Sequence, residues 1–296
     1  MPRYRTPLRY PGGKQRLAPF VAEVLESNSA TGCCYVEPYA GGAGVAMELL
    51  LDDRVKHVYL NDSSIHIFAF WKAILTDAEG FCRRISRASL TLDAWRAHRE
   101  VVRHPERHDL LELGFSTFYL NRCNRSGVLT AGVIGGVSQR GEWRIDARFP
   151  RNELIQRIEC IAAYRKRITV TNLDAEHFIA HNVNQLPSKT LVYCDPPYFA
   201  KAVRLYLNAY QPDDHARLAR VIQTRLHRPW MVSYDNRPSI LALYRHRRSF
   251  RYSLTYSAIR SYTGTELFIF SDGLTLPRQS AIPYIANRLH TVRRSA

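Results

Sequence analysis

The stretch Leu191-Val-Tyr-Cys-Asp195-Pro196-Pro197-Tyr198 limits the fold of this chain more than any other. An apolar run ends in an acid, and two prolines then withhold two backbone N–H donors, so the run cannot continue as a sheet strand. Asp195 is therefore expected at a strand end. In an open α/β sheet, ligands bind in the crevice outside the carboxyl ends of the strands. Tyr198 follows on a stiff turn, so its ring is expected to be presented with little freedom to swing away. An acid and a rigid aromatic at one strand tip suit a planar ring that carries an amine. The carboxylate accepts a hydrogen bond from the amine while the ring face lies on the tyrosine. An ordinary turn accounts for the same residues, because Asp-Pro is common at turns and tyrosine is often half-buried.

Charge narrows the choice of partner. Forty-two Lys plus Arg against 26 Asp plus Glu leave a net charge of +16. Such a surplus favours a polyanionic partner, although a merely basic soluble protein shows the same balance. Arginine outnumbers lysine heavily, and its planar fork suits phosphates and guanine edges. At 296 residues, 46% apolar and 23% charged, the chain reads as globular: one large domain, or a main domain with an insert. Cys33, Cys34, Cys82, Cys123, Cys160 and Cys194 show no paired ligand spacing, so no metal is expected and the thiols fit a reduced, cytoplasmic protein. The opening Met-Pro-Arg-Tyr-Arg has no apolar stretch behind it, and no signal peptide is expected. No run reaches the roughly 18 apolar residues that cross a bilayer.

The chain in order reads as an α/β alternation interrupted once. Residues 7 to 14, Pro-Leu-Arg-Tyr10-Pro-Gly-Gly-Lys14, form a rigid glycine-bearing turn ahead of an amphipathic helix from Leu17 to Leu25. The glycines allow close backbone approach to a ligand, or simply lead into the helix. Cys34-Tyr-Val-Glu37-Pro38-Tyr39-Ala-Gly41-Gly42-Ala-Gly44 reads as strand, glycine turn and the start of a helix from Val45 to Leu51. The dinucleotide pattern G-x-G-x-x-G is absent, so the glycines serve ligand approach to the helix N-terminus rather than a pyrophosphate. A second strand, Val55 to Leu60, ends at Asn61-Asp62. Asp62 sits where ribose hydroxyls are bound in such folds, or else caps the helix from Ile65 to Leu75.

From about 66 to 152 the alternation lapses into helical, arginine-rich sequence. Arg122, Asn124, Arg125 and Ser126 fall at its turn, followed by a glycine-rich piece from Ala131 to Gly141 carrying Gln139 and Arg140. That piece reads as a loop or hairpin whose side chains suit base edges and phosphates; a solvated polar loop has the same composition. The alternation returns with a helix from Arg151 to Tyr164, a strand from Ile168 to Asn172, a helix from Ala175 to Ala180 and the strand Leu191 to Cys194. A helix from Asp213 to Leu226 follows, with His215 as a structural residue at its start, then a strand from Trp230 to Ser233. A closing hairpin pairs Tyr252–Leu254 with Glu266–Phe270.

The order of the Pro-Gly-Gly-Lys loop, Glu-Pro-Tyr-Ala-Gly-Gly-Ala-Gly, an inserted basic segment and Asp-Pro-Pro-Tyr resembles the Dam-type (D12 class, α group) DNA adenine methyltransferases, over roughly residues 5 to 272. Three motifs in one order are specific where any one alone is weak. The family more often carries Phe at the position of Tyr39, and Trp can stand at that of Tyr10. The resemblance implies a Rossmann-like S-adenosylmethionine-dependent methyltransferase sheet, residues 1–65 and 153–296, with an inserted helical or hairpin DNA-recognition domain at 66–152. It implies S-adenosylmethionine as the cofactor, held by Tyr10, Lys14, Glu37, Pro38, Tyr39, Gly41, Gly42, Gly44, Asp62 and Asp195. The catalytic tetrapeptide would be Asp195, Pro196, Pro197 and Tyr198. Arg122, Asn124, Arg125, Ser126, Gln139 and Arg140 would bind DNA.

The expected partner is double-stranded DNA, with a cognate restriction endonuclease or defence-system partner admitted, and the chain is expected to be a monomer off the membrane. Adenine's amine is a poor nucleophile because its lone pair is shared with the ring. Accepting its hydrogens on Asp195 and the Pro196 carbonyl localises that pair on nitrogen, and the base must leave the helical stack to be reached. A cytosine amino-methyltransferase more often begins its tetrapeptide with Ser and an RNA adenine methyltransferase with Asn. An RNA adenine methyltransferase and an inactive DNA-binding module of the same fold remain as alternatives.

Overall fold

The computed structural model describes residues 5–9, 14–199, 210–256 and 262–277. Seven strands form one sheet: β1 (Cys33–Glu37), β2 (Val55–Asn61), β3 (Ile168–Thr171), β4 (Thr190–Cys194), β5 (Trp230–Asp235), β6 (Arg248–Tyr256) and β7 (Tyr262–Phe270). Their order is β3-β2-β1-β4-β5-β7-β6. The first five pair in parallel and β7 runs antiparallel to both β5 and β6. β1 and β4 are buried along their whole length, as apolar strands covered on both faces must be. The expected hairpin is present, with Tyr252 opposite Glu266.

Period-two alternation sorts side chains onto the two faces. Tyr35, Leu191, Tyr193, Met231, Phe268 and Phe270 join one core. Val36, Val192, Cys194, Val232, Leu267 and Ile269 join the other. The first core is covered by helices α1 (Ala18–Ser27), α2 (Gly44–Leu51), α3 (Ile65–Thr76), α4 (Ala78–Arg87), α5 (Leu92–Arg103), α6 (Leu110–Cys123) and α7 (Arg151–Ala163). Over the second lie α8 (Ala175–His177), which runs into a wide turn at Phe178–Asn182, α9 (Pro212–Arg225) and α10 (Pro238–Leu243). His215 in α9 is fully buried, with Nδ1 3.1 Å from the Tyr234 hydroxyl.

The interruption between β2 and β3 is helical, as its sequence indicates. An aromatic knot of Phe70, Phe81, Phe115 and Phe118 ties α3, α4 and α6 together, with Phe70 stacked on Phe118 at 6.0 Å and Phe81 edge-on to Phe118 at 5.5 Å. These rings belong to the same core that underlies the sheet. The glycine-rich piece forms a loop and not a hairpin: among the described residues its pairing is a single bridge, Asn124 to Val133. Gly127, Gly135 and Gly136 take left-handed φ values of +76°, +82° and +65°, which no regular ladder accommodates.

Candidate active site

The sheet order reverses between β1 and β4, since β1 leads outward to β2 and β3 while β4 leads to β5. A crevice opens at such a switch point, beyond the strands' carboxyl ends. Glu37 closes β1 and Asp195 follows β4 directly, so the two acids flank it. Pro196 and Pro197 end the strand. Asp235 at the tip of β5 then accepts the Phe199 N–H at 3.0 Å and fixes the turn.

Asp195 is held by its parallel neighbour. Ser233 on β5 donates to Asp195 Oδ1 at 2.5 Å, and the Tyr193 hydroxyl lies 2.8 Å from Ser233 Oγ. Lys14 Nζ is 3.5 Å from the same oxygen. Among the described residues the Ser233 and Lys14 contacts to this carboxylate are made on Oδ1, and the side chain keeps 28% of its surface exposed. Burial pushes the Asp195 carboxyl up to about 6; the Lys14 ammonium opposes that rise and the Glu266 carboxylate adds to it.

Tyr198 is 5% exposed and so is covered rather than presented. Its hydroxyl donates to Glu266 Oε1 at 2.8 Å and accepts from Lys14 Nζ at 3.2 Å. The fixed ring was legible in the sequence, whereas the anchoring partner was not. Glu266 comes from the antiparallel strand, and its one trace in the sequence is an acid opening the apolar run Leu267–Phe270.

The glycine turn between β1 and α2 is shaped by acids at both ends. Helix α2 starts after Ala43, a left-handed residue (φ 45°) with no capping side chain. Glu37 supplies that function from the strand end by accepting the Ala46 N–H at 3.0 Å. It is 5% exposed, and burial pushes its carboxyl up to about 8. Asp62 accepts the Gly41 N–H on Oδ2 and the Ser64 N–H on Oδ1, both at 2.9 Å. Burial pushes Asp62 up to about 6 against those two bonds. Gly41 takes φ +45° and its carbonyl accepts from the Trp71 indole at 2.9 Å. At Gly44 an added Cβ would lie 3.0 Å from Gln15 Cβ. The Gly42 carbonyl accepts from Thr6 Oγ1 at 2.5 Å, and that of Pro38 from Asn61 Nδ2 at 3.1 Å. The Tyr39 hydroxyl is 3.0 Å from that of Tyr210. Tyr10 lies outside the described residues.

The expected DNA-binding set divides. Arg125 and Arg140 are exposed, Ser126 and Gln139 half-buried. Arg122 and Asn124 are internal struts, which corrects the expectation for both. Arg122 is 6% exposed and donates to the carbonyls of Arg148 at 2.6 Å and Pro7 at 3.4 Å. Burial and the neighbouring Arg9 push its guanidinium down to about 9. Asn124 is fully buried, gives its amide hydrogens to Val128 and Leu129, and accepts from the Trp95 indole at 2.7 Å. Buried backbone carbonyls need donors, and these side chains supply them. Gln139 is also engaged, donating to the carbonyls of Ile134 and Gly136 and accepting from the Ile145 N–H. Asn121, absent from the expected set, brackets Arg9 by accepting its N–H and donating to its carbonyl, both at 2.7 Å. Among the described residues no cluster of side chains suits a metal ion, and no helix is long and apolar enough to cross a membrane.

Similarity to known proteins identifies the family. A family model described as D12 class N6 adenine-specific DNA methyltransferase matches residues 10–258. The retron Ec67 DNA adenine methylase of Escherichia coli is 27% identical over 284 residues, covering 90% of this chain and 91% of that protein. Among solved structures, the rRNA methyltransferase AviRa of Streptomyces viridochromogenes overlaps with a TM-score of 0.38 at 14% identity, covering 88% of this chain and 85% of that one. A precorrin-8w decarboxylase from Methanobacterium thermoautotrophicum overlaps at 0.32 and 10%, covering 85% and 88%. Overlaps that loose carry no argument, and the mixed α/β fold rests on the strand order itself. With the family match running through most of its length and both motif-bearing strand tips meeting at one crevice, the chain belongs to the D12 class of N6 adenine-specific DNA methyltransferases, S-adenosylmethionine-dependent enzymes that methylate adenine in DNA.

Proposed function

We propose that the chain methylates the exocyclic amine of an adenine flipped out of duplex DNA at a specific sequence, with Asp195 as acceptor of the amine's hydrogens. The observation that carries this reading is the Asp195 carboxylate at the switch point, with Oδ1 fixed by Ser233 and the side chain still 28% exposed. Incubation with labelled cofactor and either duplex DNA or RNA, followed by identification of the modified base, tests it. Label in RNA alone, or in cytosine, would overturn it.

The crevice fits S-adenosylmethionine on the chemistry of its donors and on its shape. Gly41 bends the backbone into a left-handed turn, and at Gly44 the start of α2 packs closely against Gln15. Each Asp62 oxygen accepts one backbone N–H and keeps a second lone pair for a ribose hydroxyl. When bound, the cofactor supplies an electrophilic methyl group on a sulfonium. The protein's part is to hold Asp195 and the Pro196 carbonyl against the amine hydrogens, so that the nitrogen lone pair points at that methyl. Glu37, Pro38, Tyr39, Gly42 and Lys14 complete the proposed cofactor wall. Asp62→Ala is expected to weaken cofactor binding by on the order of 1.5 to 3 kcal/mol, read by titration calorimetry on the folded variant. Unchanged affinity would remove Asp62 from the ribose site.

The proposed partner is double-stranded DNA, met in the cytoplasm by a monomer, with residues 66–152 as the target-recognition segment. Arg125, Arg140, Arg144 and Arg148 are exposed cations on the loop after α6, and the surplus of +16 supplies the wider field. Binding to a duplex should fall about a thousandfold or more between about 50 and 200 mM salt, as expected when roughly six phosphates are neutralised. A flat salt dependence in a filter or anisotropy assay would mean that this charge does not engage phosphates.

A further inference from the structure

Glu266 is 1% exposed and collects three donors: the Lys14 ammonium, the Tyr198 hydroxyl at 2.8 Å and the Tyr252 hydroxyl. The same ammonium lies 3.5 Å from Asp195 Oδ1 and 5.1 Å from the centre of the Tyr198 ring. One cation is therefore shared by two carboxylates, and it lies nearer to Glu266. A buried ion pair is seldom worth more to stability than apolar residues of the same volume, so its presence here points to placement. Lys14 is also a chemical rival of the substrate. Like an adenine amine, it brings N–H donors to Asp195 beside the Tyr198 ring.

We propose that Glu266 is a positioning residue for methyl transfer, drawing Lys14 away from Asp195 and anchoring the Tyr198 hydroxyl so that Asp195 is left to the substrate amine. The proposal rests on the reading of the site given above and adds a residue to it. Among the described residues the groups facing this cluster include Tyr193 from β4, Ser233 from β5, Tyr252 from β6, and Glu37, which acts on Asp195 from the end of β1. Without the Glu266 charge, Asp195 is the other carboxylate at Lys14 among the described residues, and the like charge that disfavours ionisation of Asp195 is gone.

The test compares steady-state methylation of duplex DNA across pH for the wild type and three variants, each checked for folding by its thermal melt. A wild type that fails to methylate adenine would sink the functional reading, and the proposal is judged only against a wild type that does. Glu266→Gln is expected to lower kcat about tenfold with little change in the cofactor KM. The acid limb of its kcat profile should move down by about one pH unit. Glu266→Asp keeps the charge but shortens the reach, so its acid limb should stay in place while kcat falls. Tyr252→Phe removes one donor and no charge, should lower kcat a few-fold, and decides the matter if the Glu266 variants do not fold. A Glu266→Gln protein with the wild-type pH profile would overturn the proposal, whether its kcat is intact or lost together with its melting temperature. Wild-type kcat in Tyr252→Phe would also overturn it.

Discussion

Asp195→Ala should lower kcat by on the order of a hundredfold to a thousandfold, the scale of losing one preorganised hydrogen-bonding group at a reacting centre, while duplex affinity changes little. The variant leaves Arg125, Arg140 and the core beneath them untouched, so what it removes is an interaction made mainly in the transition state. Single-turnover methylation and a binding isotherm on the same preparation separate the two effects, and near-normal turnover would sink the assignment of this strand tip. The pH dependence follows from the same group. Burial holds the Asp195 carboxyl at about 6 against an ordinary 3.8, and only the ionised form has both oxygens as acceptors. Turnover should therefore fall as the pH drops through about 6. Stability runs the other way. A folded value above the ordinary one means that the fold holds this proton more tightly, so the stabilisation present at low pH is lost as the pH rises from about 4 through about 6. Asp195→Asn, which cannot ionise, should melt higher than the wild type at pH 8 and be inactive. An unchanged or lower melting temperature would show that the fold does not hold this carboxyl above its ordinary value.

Tyr198→Ala should lose both base extrusion and rate. Stacking of a base on an aromatic ring is worth roughly 1 to 3 kcal/mol; the covered Tyr198 face must open to receive the base, and a fluorescent base analogue at the target position reads the loss of that stack directly. The ring is 5% exposed, so its removal also empties buried volume, and about 3 kcal/mol of stability should go with it. Tyr198→Phe keeps the ring face and loses the hydroxyl's bond to Glu266, about 1 kcal/mol. It should flip the base and methylate within a few-fold of the wild type. Full loss of flipping in Tyr198→Phe would move the role of this residue from its ring to its hydroxyl.

Most of the sheet was written in the sequence, because strand ends there carry local punctuation. Two prolines after Asp195, a proline after Glu37 and Asn61-Asp62 at the end of β2 mark three carboxyl tips. Apolar runs between them can be buried only as parallel strands covered on both faces. The closing hairpin was legible for the same reason, since alternation is a local pattern. The meeting of Glu37 and Asp195 depends on the reversal of strand order between β1 and β4. The glycine motif and the Asp-Pro-Pro-Tyr motif implied it without fixing it.

Tertiary structure alone decided the rest, because it concerns which polar groups are buried and who satisfies them. Composition makes Arg122 and Asn124 look like nucleic-acid ligands, yet both lie where backbone carbonyls need internal donors. Ala43 opens α2 without a capping side chain, and nothing near it in the chain shows that Glu37 provides the acceptor. Glu266 stands 71 positions after Asp195 on an antiparallel strand, where it reads as an acid at the start of an apolar run. Only the folding of β7 between β5 and β6 brings it to Lys14 and Tyr198. Burial then gives its hydrogen bonds and charge their effect, because water no longer screens them.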